Sequence, residues 1–515
     1  MFFLLLLSIA GLIDSLYLTW EHYNQVIPPC TIHPLIPSFL IDCGKVLTSA
    51  YSVMFGIPLA VIGGVHYGLL TLAVLGALIY KKKLFNKWIV IQAVIGVIAS
   101  LYFMYVQLGI IGSLCLYCTL SAFISFTIGL VVFFNLKKEK LELFFLVYAF
   151  IYQIFIKKIL FLFPPETIHN IIVSYGEFLG HSPMAKVFEK LIVYKDHSLH
   201  QRIEKINFDN PIGLAAGFDY NANLTQTLYF LNFGFQSVGT ITNDPYEGNP
   251  PPRLGRLIKS KSLMVNKGFK NLGAKYISSK LSKLEFNIPV GISIGMTHSE
   301  DIRSIQQAIT DIVNAFKIFE KSGVKKSYYE LNISCPNLVH AKEISFYPPK
   351  NLELLLSSID RLRLKKPVFI KMPIEKSDKE VNAILDVIVK HNSIKGVVFG
   401  NLLKDRKDPS LIPSEVKKFK VGNFSGKPCE KRSNELIKLA YKKYKNRLTI
   451  IGCGGVFSAK DAYKKIKLGA SLVQLITGMI FQGPFLISQI NLEIIDLLEK
   501  DGFKNIKEAI GYENH

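Results

Sequence analysis

The sequence predicts a multidomain membrane protein: an all-α four-helix transmembrane bundle followed by an α/β (β/α)8 barrel. Three observations carry this. Residues 1–135 contain four long runs nearly free of charge. From residue 206 onward, short β-rich runs alternate with helical stretches, eight times over. A chain of 515 residues also exceeds what one hydrophobic core usually organises.

The charge-poor runs are 1–20, 55–80, 88–111 and 114–134, each long enough to cross a bilayer as a helix. The first lacks a basic start and a small-residue cleavage site, so it reads as a retained span. "YKKKLFNK" (80–87) and "NLKKEK" (135–140) follow spans two and four, and short Lys-rich loops stay cytoplasmic. That puts both ends of the bundle inside, and the loop 21–54 outside with the link preceding Cys115. Lys and Arg outnumber Asp and Glu by 61 to 39, a formal +22. The lysines lie beside apolar runs or along helices, without zinc-finger spacing or an arginine tract. A lipid membrane, rather than nucleic acid, accounts for part of the excess.

Cys30 and Cys43 fall in the outer loop, and Cys115 and Cys118 open the fourth span at the same face. Positions i and i+3 share a helix side, so Cys115 and Cys118 can approach closely enough for a disulfide. Four thiols at an oxidising face suit exchange from the loop pair to the helix pair and on to a lipid-soluble acceptor. The other reading is a pair of static disulfides.

"DCGKVLTSAYSVMFGIPLAVIGG" (42–64) with "CLYC" (115–118) resembles the vitamin K epoxide reductase family, in its bacterial quinone-reducing form, over about 1–135. The resemblance implies that Cys115 and Cys118 are the active-site pair beside a quinone, with Cys118 the thiol that meets it. It makes Cys30 and Cys43 the relay, Ser49 a neighbour of the quinone ring, and a thioredoxin-like extracytoplasmic thiol protein the partner.

Residues 141–163 form a further apolar segment. Its uninterrupted part, 143–156, is short for a span, and Lys157 and Lys158 break the run. A helix lying in or entering the inner leaflet is therefore expected, rather than a fifth crossing. "PPETIHNIIVSYGEFLG" (164–180) opens with a helix start signal. With 183–194 it reads as two short amphipathic helices, either framing a route for a quinone tail or packing on the next domain. The expected organisation is a thiol-redox domain over 1–140, a membrane-associated segment over 141–205, the barrel over 206–498 and a tail over 499–515.

The eight strand runs are 211–217, 235–242, 289–295, 328–334, 367–373, 394–401, 448–455 and 471–478. A doubly wound sheet would want a glycine-rich dinucleotide turn after its first strand, which "AAGFDYNAN" does not supply. In a barrel, function gathers where strands end. Those ends hold Gly217, Thr240, Asn332, Lys371, Asn401, Gly454, Gly455 and Gly478. Glycines after strands seven and eight sit where barrels bind phosphate, and a lysine in the mouth can stabilise negative charge. "NISCPN" (332–337) sets Cys335 between Asn332 and Asn337, a base flanked by amides. "NKGFKNLG" (266–273) adds Asn271, and strand six adds Asn401. No carboxylate pair or histidine cluster supports glycosidase or metal chemistry.

Residues 153–498 resemble dihydroorotate dehydrogenase, closest to its membrane-bound, quinone-using class. The matching stretches include "NPIGLAAGFD", "PPRLGRL", "NKGFKNLG", "NISCPN", "FSGKP", "IIGCGG" and "GASLVQLITG". The resemblance implies FMN as cofactor, dihydroorotate as substrate and membrane quinone as acceptor. It makes Cys335 the base and Asn271, Asn332, Asn337 and Asn401 the pyrimidine ligands. Lys371 would contact FMN, with Ala215, Ala216 and Gly217 packed on the flavin and Gly426, Gly455, Thr477 and Gly478 at its phosphate. Departures are present. Cys335 stands where the membrane class has serine, Tyr220 where it has a flavin-site lysine, Ser293 for an asparagine and Leu402 for a hydroxyl. The alternatives are a barrel acting on another reduced pyrimidine, or a degenerate flavin module attached to a disulfide-forming enzyme.

Overall fold

The computed structural model describes residues 1–30, 41–334 and 344–514. The chain divides into two compact units, Met1–Leu146 and Val147–His515.

In the first unit, helices Phe2–Tyr23, Leu59–Tyr80, Lys83–Tyr105 and Leu116–Asn135 pack side by side. Their seam is apolar, built from Leu4, Tyr67, Leu70, Val74, Ile89, Val90 and Ile128. Tyr67 donates its hydroxyl hydrogen within a Ser121/Ser125 cluster (Oη to Ser125 Oγ 2.8 Å), so the buried phenol is satisfied. Ile13, Leu16, Leu72, Ile98 and Leu130 point outward instead. Leucine facing out on every helix is the signature of a lipid solvent.

Among the described residues, five helices are long and apolar enough to cross a membrane, the fifth being Lys137–Leu162. The sequence counted only 143–156 as continuous. The helix runs on because a π-turn, Tyr152–Ile156, absorbs the irregularity and Lys157 reaches back to the Gln153 side-chain oxygen. At 26 residues it is long enough to span, so length no longer argues against a crossing.

The second unit is built on a closed barrel of eight parallel strands. They are β1 Ile212–Leu214, β2 Phe235–Ile241, β3 Val290–Ile294, β4 Tyr328–Asn332, β5 Val368–Met372, β6 Ile394–Phe399, β7 Thr449–Cys453 and β8 Leu472–Leu475. Each pairs with its sequence neighbour, and β8 closes on β1. The interior is layered with the two-residue period of a strand. Phe235, Tyr328, Phe369, Val398, Ile451 and Leu472 fill the lower layer. The antiparallel hairpin Gln201–Ile203/Ile206–Phe208 lays Phe208 against them and corks that end. One step up the interior turns polar: Ser237, Ser293, Glu330, Lys371 and Gln474 are all buried. Amphipathic helices, among them Ile305–Lys321 and Glu430–Tyr444, cover the outside through a second apolar shell.

A small antiparallel sheet, Leu254–Leu257, Ser262–Val265 and Asn423–Phe424, stands at the upper rim. Helix Pro165–His181 docks beside it through Glu166 on Arg253 (3.6 Å) and Glu177 on Lys280 (2.6 Å). Its other face leaves Ile171, Tyr175 and Phe178 exposed. Tyr148 meets Phe485 edge to face at 4.7 Å, Tyr152 donates to the Ile480 carbonyl at 2.8 Å and Gln153 to the Phe481 carbonyl at 2.9 Å.

Candidate active site

The strand ends of the barrel surround a cavity of about 180 Å³. Ala215, Ala216 and Gly217 reach it from β1, Thr240 from β2 and Asn332 from β4. Lys371 rises from β5, and Asn401 follows β6. Gly426, Gly454, Gly455, Thr477 and Gly478 complete one rim. The structure thus assembles most of the barrel residues singled out from the sequence. Cys335 and Asn337 lie outside the described residues.

Lys371 is a buried cation of the site. Its Nζ donates to the Ala216 carbonyl at 3.3 Å and sits 3.8 Å from Glu330 Oε1. Glu330 has no solvent exposure and also accepts from Ser237 Oγ (2.8 Å), Ser293 Oγ (3.2 Å) and Gln474 Nε2 (3.3 Å). Such a partner offsets the cost of burying the ammonium. Sequence reasoning missed Glu330, although its charge inside an apolar strand, two residues before Asn332, was a signal for an inward position. Ser293 belongs to this polar layer, not to the cavity wall, where Leu402 does appear.

Asn332 donates to Thr240 Oγ1 (2.8 Å) and accepts from Ser334 N (3.2 Å), leaving one amide hydrogen toward the cavity. Asn401 binds the Ser334 carbonyl (2.8 Å) and hydroxyl, and so holds the root of the segment that carries Cys335. Asn271 behaves differently. Its Nδ2 donates to Thr242 Oγ1 and the Phe269 carbonyl, and its Oδ1 accepts from Thr242 N and Gly273 N. Its capacity is spent on the turn, and Asn271 is absent from the cavity lining.

The glycine rim fits a phosphate-bearing cofactor. Gly426, Gly454 and Gly455 have φ of +85°, +97° and +76°, where only glycine is at ease. A Cβ at Gly455 would stand 2.3 Å from Glu430 Cβ, and one at Gly478 1.9 Å from the Val456 carbonyl oxygen. The rim is therefore bare backbone by necessity, the surface on which a phosphate finds N–H donors.

Tyr220, His169 and Lys267 form another part of the wall. Lys267 Nζ donates to the Tyr220 hydroxyl, and the His169 ring lies 5.2 Å from that of Tyr220. Burial brings the Lys267 ammonium down to about 7 and the His169 imidazole down to about 3, with Lys267 adding to the latter shift. The imidazole is neutral at physiological pH. Burial also pushes the Cys429 thiol up to about 12 and raises Cys453, so neither is a thiolate.

In the first unit, Cys30 and Cys43 are joined as a disulfide with Cα atoms 6.0 Å apart, whereas Cys115 and Cys118 are free. All four lie in one cluster with Val46, Ile111 and Tyr117. Cys118, Ser49, His66, Tyr67 and Asp14 line a separate cavity of about 770 Å³.

The dihydroorotate dehydrogenase family model matches residues 198–498, more than half of the chain. The chain belongs to the dihydroorotate dehydrogenase family. Residues 2–133 match the vitamin K epoxide reductase family, so a domain of that kind is fused ahead of the barrel. The chain is 34% identical over 367 residues to a dihydroorotate dehydrogenase (quinone) of Trichodesmium erythraeum, covering 68% of this chain and 94% of that protein. It is 35% identical over 359 residues to one of Nitratiruptor sp., covering 69% and 97%. A crystal structure of dihydroorotate dehydrogenase from Eimeria tenella in complex with ferulenol superposes with a TM-score of 0.59 at 26% identity, over 68% of this chain and 96% of that one. These relatives cover about two thirds of this chain and nearly all of their own length.

Proposed function

We propose that the barrel oxidises dihydroorotate to orotate through FMN, with membrane quinone as the final acceptor. The reading is carried by one observation: a buried lysine, Lys371, beneath a mouth of amides and a rim of obligatory glycines. FMN, when bound, supplies the hydride acceptor and returns the electrons to quinone. Gly426, Gly454, Gly455, Thr477 and Gly478 would hold its phosphate side, and Lys371 would place a fixed positive charge beside its ring. Asn332, Asn337 and Asn401 orient the pyrimidine. Cys335 takes the proton from C5 as hydride leaves C6, and thiol acidity makes cysteine a competent base there. Asn401, by holding Ser334, keeps that base in register.

The N-terminal domain, in this reading, passes electrons from an extracytoplasmic thioredoxin-like dithiol to quinone. The partner dithiol reduces the Cys30–Cys43 disulfide. That pair, as thiols, reduces a Cys115–Cys118 disulfide. The Cys115 and Cys118 thiols then give two electrons and two protons to a quinone in the larger cavity and close their own disulfide again. The contact cluster of all four cysteines supports the sequence of exchange. The lysine-rich loops keep the end of the bundle inside, and a connecting helix that does not cross leaves the barrel cytoplasmic. That placement is supported by the bonds of Tyr152 and Gln153 to the barrel, which tie this stretch of the connecting helix to protein rather than leaving it to lipid.

The test is spectroscopic. Full-length protein purified with lipid should show flavin absorbance that bleaches on anaerobic dihydroorotate and recovers with quinone. Protein without bound flavin would sink the dehydrogenase reading.

A further inference from the structure

Among the described residues, the barrel cavity is lined by three lysines, Lys267, Lys270 and Lys371, and by no carboxylate. Lys371 has Glu330 behind it. Lys267 has no such partner: no ion pair includes it among the described residues, and its hydrogen bond goes to the neutral Tyr220 hydroxyl. Glu166, the acidic group nearest in influence, is engaged by Arg253 at 3.6 Å. The side chain is only 7% exposed. A buried ammonium without a counter-ion is costly, and the group that removes the cost is an anion arriving from the cavity.

The geometry points to Lys267 and Tyr220 as the seat for the carboxylate of the barrel's substrate, an assignment that rests on the dihydroorotate reading above. Lys267 would supply the charge and Tyr220 a hydroxyl hydrogen, since its oxygen accepts from the lysine and its proton remains free to donate. Both come from loops other than those of the glycine rim, so the seat is separate from the place argued for a phosphate. His169, edge-on to Phe218 at 4.8 Å and tilted by 30° against the Tyr220 ring at 5.2 Å, packs on the phenol from the far side. The seat explains how the site manages with tyrosine at 220: a cation reaches the same spot from the loop after β2.

The experiment uses full-length protein in lipid with its flavin bound, and follows flavin absorbance during titration with orotate or with uracil, the same ring without the carboxylate. Lys267→Met should weaken orotate by about thirtyfold, the worth of a hydrogen-bonded charge, and leave uracil and flavin content nearly unchanged. Lys267→Arg should keep most of the preference for orotate. A second readout needs no variant. As pH rises through about 7 the empty site loses its ammonium, so orotate affinity should fall by about tenfold per unit above that point, while uracil stays flat. Lys267→Arg should flatten the orotate slope, because guanidinium stays charged. The groups facing Lys267 are Tyr220, His169, Glu166, Arg253 and Lys270. His169 is neutral throughout this range, and burial holds the Tyr220 phenol well above its ordinary value.

Equal losses for orotate and uracil in Lys267→Met, or none, overturn the seat alone. Loss of flavin from that variant assigns the ammonium to the phosphate and also overturns it. A wild-type flavin spectrum that ignores orotate overturns the dihydroorotate reading, and the seat with it.

Discussion

Glu330→Gln tests whether the polar layer beneath the cavity is an electrostatic device or mere filling. The substitution keeps the shape of the side chain and removes its charge. At 3.8 Å, two unit charges attract by about 4 kcal/mol at an effective dielectric of about 20. The amide oxygen recovers part of this, and Lys371 keeps its bond to the Ala216 carbonyl, so the net loss should be about 2–3 kcal/mol. For a domain of this size that lowers the melting midpoint by about 4–8 °C. The assay is thermal exposure of the buried Cys429 and the half-buried Cys453 to a thiol-reactive fluorogenic dye, with every variant compared at the same flavin content. Glu330→Gln, Lys371→Met and the double variant complete a cycle. The double variant should lose less than the sum of the singles by about 2 kcal/mol. Additive losses, or a Glu330→Gln midpoint within about 1 °C of wild type, would refute the reasoning.

Three further outcomes are expected. Asn401→Ala frees Ser334, and should slow flavin bleaching by dihydroorotate about a hundredfold in stopped flow with flavin content unchanged. Gly455→Ala forces a side chain into a left-handed position 2.3 Å from Glu430 Cβ, and should sharply lower the flavin-to-protein absorbance ratio. A membrane-impermeant thiol reagent applied to intact cells after reduction should label Cys30 and Cys43 and leave Cys335 unmodified. Labelling at Cys335 would place the barrel outside.

All eight barrel strands were legible because parallel strands buried on both faces read as apolar runs ended by glycine or a polar residue. Val290–Ile294, with every residue buried and Gly295 following, is a clear case. The corking hairpin and the rim sheet were not foreseen, being two to four residues per strand and polar enough to pass for loop. The Lys157–Lys158 pair breaks the apolar run in the sequence, yet the helix continues through it, with Lys157 folding back to Gln153. Asn271 shows what residue type leaves out: the partners of an asparagine, here Thr242, Phe269 and Gly273, are visible only once the loop is folded. Lys267 was hidden for a related reason, since a lysine in a glycine-asparagine loop reads as solvated until a neighbouring helix and loop bury it.

The hairpin that sets Phe208 under the barrel has a kinetic consequence. With the floor sealed by aromatic rings, that end offers no passage, and whatever reaches the cavity must arrive from the side where the strands finish. If the proposed reaction holds, an oxidised ring leaves toward the same side from which its reduced form comes, and excess orotate should slow turnover competitively.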